Sequence, residues 1–170
     1  EPASFAGEHY RLERAERGPT PAHDIPVIVG ALKPRMLRLI GEKADGWLPS
    51  LGRLTRDELR AGTKLVDEAA RGAGRDPREI RRLLNISGRF DATSQGFLHG
   101  PPGRWVDDLL PFVVEDGVSM LILAVDDVET MECFAREVAP ALRDAVRDAL
   151  PAETLVRSPV RRAAVRANRH

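Results

Sequence analysis

Short apolar runs alternate along the chain with longer stretches whose apolar residues recur at helical spacing. The first run is Ile25-Pro26-Val27-Ile28-Val29-Gly30, a β-branched segment of the kind buried on both faces of a parallel sheet. A helix is predicted from Pro34, because proline suits the first helical turn, where its missing N–H has no partner to lose. Met36, Leu37 and Ile40 form the apolar side of that helix. The second run, Asp45-Gly46-Trp47-Leu48-Pro49, reads as a short strand. Behind it Thr55 and Glu58 have the spacing of a capping box, which satisfies two free backbone N–H groups. The helix that follows puts Leu59, Gly62, Leu65 or Val66, Ala69 and Ala73 on one face; Gly74 ends it and Pro77 prevents its resumption.

The third run is Leu83-Leu84-Asn85-Ile86-Ser87-Gly88-Arg89-Phe90, followed by a loop containing Gly96, Gly100, Pro101, Pro102 and Gly103. Trp105, Val106, Leu109, Phe112 and Val113 then recur at helical spacing, in a helix that Pro111 should kink and Gly117 should stop. The fourth run is Val118-Ser119-Met120-Leu121-Ile122-Leu123-Ala124-Val125. Its helix carries Val128, Met131, Ala135, Val138 and Leu142, with Asp126 or Asp127 as N-cap.

Strands are therefore expected at residues 26–30, 45–49, 83–90 and 118–125, each followed by a helix. Four such units in series predict an α/β fold with a parallel sheet and helices packed outside it. A closed eight-unit barrel typically takes about 250 residues, so 170 residues supply half of one. The inward faces of Val27, Val29, Ile86, Leu121 or Leu123 would then lack an opposite wall. Residues 1–25, with Pro2, Gly7, Gly18, Pro19 and Pro21, read as an extended or looping excursion; residues 26–148 form the body; residues 149–170 read as an unpacked, disordered basic tail.

Charge changes this picture only locally. The chain has 26 basic and 26 acidic residues, so no overall bias points to nucleic acid or a membrane. The tail departs from that balance, with Arg157, Arg161, Arg162, Arg166 and Arg169 against Glu153 alone. No apolar run approaches the roughly 20 residues of a membrane helix. The single cysteine, Cys133, fits a reducing cytoplasm, and its mid-helix place without a basic neighbour pair favours inert packing over reactivity. The opening EPASFAGEHY has no signal pattern and no Met, which reads as a chain that starts partway through a longer one.

Several motifs then occur in order. They are Phe5-Ala6-Gly7-Glu8-His9-Tyr10-Arg11-Leu12, Pro26-Val27-Ile28-Val29-Gly30, Pro34-Arg35-Met36-Leu37, Ala44-Asp45-Gly46-Trp47, Gly74-Arg75-Asp76-Pro77 and Phe134-Ala135-Arg136-Glu137-Val138-Ala139-Pro140. From about residue 5 to 143 this series resembles the second half of luciferase-like monooxygenases. The resemblance implies the C-terminal half of a (β/α)8 TIM barrel, with FMN or coenzyme F-420 bound at the C-terminal ends of its strands. It further implies hydride transfer, with oxygen activation in the FMN members. The strands nearest the reacting ring belong to the other half, so no catalytic residue is assigned.

Gly30, Ala31, Leu32 and Lys33 are the candidate cofactor segment, since a glycine after a strand and a helix start both favour a phosphate. Members of the family often carry two glycines where this chain has Gly30-Ala31. The competing reading is an ordinary βα turn. Gly46 and Trp47 are candidates beside the cofactor tail, against a plain core tryptophan and a tight strand entry. His99, in the glycine-rich loop, is a candidate substrate contact, and His9 belongs to the excursion; both compete with the reading of exposed loop histidines. No His/Cys/Asp cluster has metal-ligand spacing.

Two rival functions stand beside a small-molecule oxidoreductase. One is an interaction module that pairs through open sheet edges, with a second copy or a missing N-terminal half. The other is nucleic-acid binding through the arginine tail, which the absence of aromatic residues there disfavours.

Overall fold

The computed structural model describes residues 2–16, 18–19 and 21–150. The arginine tail, residues 151–170, lies outside the described residues, and so do the readings of it as disordered or nucleic-acid binding.

The excursion begins as a two-stranded antiparallel hairpin, β1 (Ala3–Ala6) and β2 (Arg11–Ala15), whose Phe5 and Tyr10 are exposed. The body is a single four-stranded sheet of β3 (Ile28–Val29), β4 (Gly46–Trp47), β5 (Arg81–Ile86) and β8 (Met120–Leu123). All three pairings are parallel, and the order across the sheet is the order along the chain. Helices α1 (Pro34–Lys43), α2 (Arg56–Gly72) and α3 (Pro102–Val114) follow the first three strands. After β8 come α4 (Val128–Cys133), a π turn (Phe134–Val138) and α5 (Ala139–Ala149), which runs one residue past the expected end of the body.

Local signals explain most boundaries. Pro34 sits in the first turn of α1. The Thr55–Glu58 capping box forms in full at the start of α2. Gly74 ends that helix at φ +72°, where a side chain would be strained. Asp127, rather than Asp126, caps α4 by accepting from the Thr130 N–H at 2.7 Å. The helix α3 continues through Pro111.

Several expectations need correction. The run 83–90 is not one strand: β5 ends at Ile86, and Arg89–Phe90 (β6) pairs instead with His99–Gly100 (β7). The break falls at Gly88, where the Leu98 carbonyl and the Trp105 ring occupy the place a Cβ would take. The inward face was assigned one residue out of phase. Trp47 and Arg82 are register partners, and both point to α2, Trp47 packing on Gly62 and Arg82 pairing with Asp67. Because register partners in a parallel sheet share a face, Val29, Ile86, Leu121 and Leu123 lie on the helix side. The open, lumen side carries Ile28, Gly46, Arg81, Leu83, Asn85, Met120 and Ile122. Finally, Val128, Met131 and Ala135 are exposed while Phe134 and Val138 turn inward. Pro140 cannot donate to the carbonyl four residues back, and the Ala139 N–H reaches the Phe134 carbonyl instead, shifting the helix phase.

The core is the interface between sheet and helices, built on Leu37, Ile40, Trp47, Val66, Leu84 and Trp105. In α2 the buried face runs through Leu59, Gly62, Val66 and Ala70, so Ala70 takes the place expected of Ala69 and Ala73. An ion-pair group ties α2 to the end of α3: the Nε atoms of Arg56 and Arg60 reach the two oxygens of Asp116 at 2.5 and 2.6 Å, with Glu115 bridging the same arginines. The Asp116 side chain is only 2% exposed.

Two outcomes follow from these contacts. Asp116→Ala should destabilise the protein by about 2 kcal/mol, less than a fully buried pair because both arginines keep access to water; a chemical denaturation series measures this. The Thr55 backbone N–H, then its hydroxyl, hold the Glu58 carboxyl below its ordinary value. A lowered folded-state pKa gives stability that is full above the ordinary carboxylate value and lost as pH falls through the lowered one. The acid arm of a thermal-midpoint profile should therefore flatten in Glu58→Gln.

Candidate functional site

In a parallel sheet every strand ends at the same edge, and here that edge gathers four connections: Gly30–Lys33 after β3, residues 48–55 after β4, residues 87–101 after β5, and residues 124–127 after β8. Ligands of parallel α/β proteins bind at this edge.

The Gly30–Lys33 segment is held from below by Trp47. The indole is 1% exposed, fills the notch left by Gly62 in α2, and donates its Nε1–H to the Ala31 carbonyl at 2.8 Å. Trp47 thus serves as a buried support of the loop. Gly46 faces the lumen, where the side chains of Ile28 and Leu83 close over the position its Cβ would take. A Cβ on Gly30 would stand 3.2 Å from the Leu48 carbonyl, so this glycine is also needed for strand packing. Leu32 and Lys33 are exposed.

Between the starts of α1 and α2 lies a cleft of about 380 Å³, lined among others by Leu32, Lys33, Trp47, Arg53 and Glu58. Glu58 is engaged by Thr55. Lys33 and Arg53 make no ion pair among the described residues. Two cations outnumber the Glu58 carboxylate beside two helix starts, which suits an anion, and this donor set fits the phosphate end of a flavin or deazaflavin cofactor. The sequence reading did not include Arg53, because an arginine in a short loop carries no pattern until the loop is placed.

His99 lies on β7, exposed, with its backbone bonded to Gly96 and Gln95. Its neighbour Leu98 is 1% exposed at φ +52°, and its N–H donates to the buried Asp108 carboxylate at 2.8 Å. His9 is exposed in the connection between β1 and β2. Burial and the nearby Glu137 push the Cys133 thiol up from its ordinary value, which keeps it protonated. Among the described residues no group of three or more His, Cys, Asp or Glu is placed to hold a metal ion, and no helix is long and apolar enough to cross a membrane.

One polar pair stands on the lumen face itself. Asn85, the fifth residue of β5, donates from Nδ2 to Ser50 Oγ at 3.2 Å, and a parallel bridge joins their backbones. Neither residue has a motif signature in the sequence.

The motif residues behind the family resemblance turn out to hold the scaffold. Asp45 accepts from the Val27 N–H at 2.7 Å, fixing the entry to β3. Arg75 donates to the Gly41 and Ala44 carbonyls, each at 2.8 Å, and so caps the C-terminus of α1. Asp76 opens the 3-10 turn Pro77–Glu79 by accepting from the Arg78 N–H.

Comparison with known proteins agrees with this geometry. An F-420-dependent glucose-6-phosphate dehydrogenase of Nakamurella multipartita is 32% identical over 91 residues, covering 54% of this chain and 27% of that enzyme. A 5,10-methylenetetrahydromethanopterin reductase of Methanolobus tindarius is 37% identical over 59 residues, covering 35% of this chain and 18% of that protein. The chain thus spans about a quarter or less of the length of these relatives. Among solved structures, an F-420-dependent secondary alcohol dehydrogenase bound to an F-420-acetone adduct superposes with a TM-score of 0.69 at 19% identity, over 84% of this chain and 56% of that one. A long-chain alkane monooxygenase gives a TM-score of 0.64 at 14% identity, over 83% and 46%. These enzymes share the barrel fold, of which the four βα units here form a part. The family model for luciferase-like monooxygenases matches residues 1–96, more than half of the chain. With its ordered motifs, parallel βα units and strand-end cleft, the chain belongs to the luciferase-like monooxygenase family.

Proposed function

We propose that this chain is the cofactor-phosphate half of a luciferase-like oxidoreductase that uses FMN or coenzyme F-420 on a small organic substrate. The observation that carries the reading is the cleft at the strand ends, where Lys33 and Arg53, in no ion pair among the described residues, stand beside the starts of α1 and α2. Relatives with F-420-dependent activities support the cofactor class. When bound, such a cofactor supplies a hydride donor or acceptor. The chain's own part is to anchor and orient it. Lys33 and Arg53 neutralise the phosphate, the exposed Gly30–Lys33 backbone approaches it, and Trp47 keeps that loop in place through the Ala31 carbonyl. Gly46 acts indirectly, by letting Ile28 and Leu83 close the sheet beneath the loop. His99 would meet the substrate from the β5–α3 connection. A cytoplasmic setting accords with the lone, protonated Cys133.

A second reading, of an interaction module, draws on a separate observation. Among the described residues both outer strands are unpaired on one side, and grooves with apolar walls flank them: Val118, Leu121, Phe134 and Leu142 beside β8, and Val27, Val29 and Leu39 beside β3. Four more strands, from a second copy or from an N-terminal half, would close the barrel over these edges.

Fluorescence titration with FMN and absorbance titration with F-420 test the first reading. Lys33→Ala should weaken binding by about 1 kcal/mol, the value of a solvent-exposed charge contact. Gly30→Ala should weaken it further; Gly30→Val is a poorer test, because its methyl groups would press on the Leu48 carbonyl. Unchanged affinity in both Lys33→Ala and Gly30→Ala would exclude this site. For the second reading, sedimentation of the purified protein should show concentration-dependent self-association. A monomer across the whole concentration range would argue against pairing between copies.

A further inference from the structure

The pair Ser50–Asn85 sits where the sequence gives no reason for a polar group. Its nearest lumen-side neighbours on β5 and β8 are Leu83, Met120 and Ile122, all apolar, and the one charged residue on the lumen side of these two strands, Arg81, lies four residues back at the start of β5. Asparagine is disfavoured inside a strand, and Asn85 is half-buried even with the lumen open. The amide has four hydrogen-bonding positions, two donors and two acceptor lone pairs. One donor goes to Ser50 Oγ at 3.2 Å, and the Asn85 side chain makes no other hydrogen bond among the described residues. The Oδ1 acceptor, the second Nδ2–H and the Ser50 O–H thus face the lumen as one acceptor and two donors. Closing the barrel over them would leave these groups unpaired among the apolar side chains of Leu83, Met120 and Ile122, which is costly unless a ligand or water meets them.

We infer that Ser50 and Asn85 form a subsite for a polyhydroxylated chain, the ribityl chain that links ring to phosphate in flavins and deazaflavins. Hydroxyl groups are both donors and acceptors, and they match a mixed set of this kind better than a carboxylate or phosphate does. Placement supports the assignment. Ser50 follows β4 and Asn85 is the last but one residue of β5, one and two strands from the Gly30–Lys33 loop, with neighbouring strands about 4.8 Å apart. A chain leaving a phosphate at that loop and entering the lumen would pass this pair. Backbone bonds hold the pair fixed: the Asn85 N–H donates to the Pro49 carbonyl at 3.0 Å and the Leu51 N–H to the Asn85 carbonyl at 2.9 Å. The inference rests on the proposed cofactor reading and adds to it a site on the opposite face of the sheet from Trp47.

Three probes separate the parts of the cofactor: FMN, riboflavin, which lacks the phosphate, and lumiflavin, which lacks phosphate and ribityl chain. Each is titrated by fluorescence into the purified protein and into Ser50→Ala, Asn85→Ala and Asn85→Leu. The expected result is a roughly tenfold loss for FMN and for riboflavin in the Asn85 variants, a smaller loss in Ser50→Ala, and no change for lumiflavin. Asn85→Leu should keep or raise the thermal midpoint, since it extends an apolar face, which separates loss of binding from loss of fold. Lys33→Ala should affect FMN alone. If FMN binding falls in Lys33→Ala but not in the Asn85 variants, the subsite is wrong and the cofactor reading stands. Equal losses for lumiflavin and riboflavin would also overturn the subsite, since the pair would then be touching the ring. A protein that binds none of the three probes overturns the subsite together with the FMN form of the cofactor reading.

Discussion

The indole of Trp47 is the contact on which the rest of the site depends. It lies between the sheet and α2, where Gly62 leaves room for the ring, and its N–H holds the Ala31 carbonyl. That single side chain sets the distance of α2 from the sheet and the path of the β3–α1 connection together. The ring thus ties the body of α2, at Gly62, to the loop that leads into α1, and the cleft lies between the two. Two-residue strands could not do this alone: β3 and β4 contribute little ladder, and packing against the helices supplies the order that backbone pairing lacks.

The fold was legible in outline because each unit carries its own punctuation. Pro34, the Thr55–Glu58 box, Gly74 and Asp127 are local devices, and local devices can be read without tertiary contacts. Phase was not legible. Strands covered by helices on one side and meant for a barrel lumen on the other are apolar on both, so Val27-Ile28-Val29 and Leu121-Ile122-Leu123 show no alternation to mark which residues face in. The same limit hid the register change at Pro140, whose effect on the helix depends on which carbonyl its missing N–H leaves behind.

The candidate site was legible as a segment but not as a set of roles. Gly30–Lys33 lies after a strand and before a helix, as its sequence implies, while Trp47 packs beneath that segment and Gly46 lets the sheet close beside it. Arg53, Ser50 and Asn85 escaped notice because single polar residues acquire meaning only from what surrounds them. Asp45 and Arg75 show the converse. They belong to the ordered motifs that carry the family likeness, and their work is to fasten β3 and α1.

Strand order matching chain order has a consequence for how the molecule forms. Each βα unit docks only on the one before it, so the sheet can grow by accretion as the chain leaves the ribosome, without waiting for a distant segment. Register partners such as Ile28 and Gly46, or Leu83 and Met120, are separated by a single helix and its loops, and the entropy of closing a loop grows only slowly with its length. Arg56 and Arg60 reaching Asp116 span more of the chain, since they join the start of the second unit's helix to the end of the third unit. That clasp can close only after β5 and α3 are in place, and it makes the late unit a lock on the early ones.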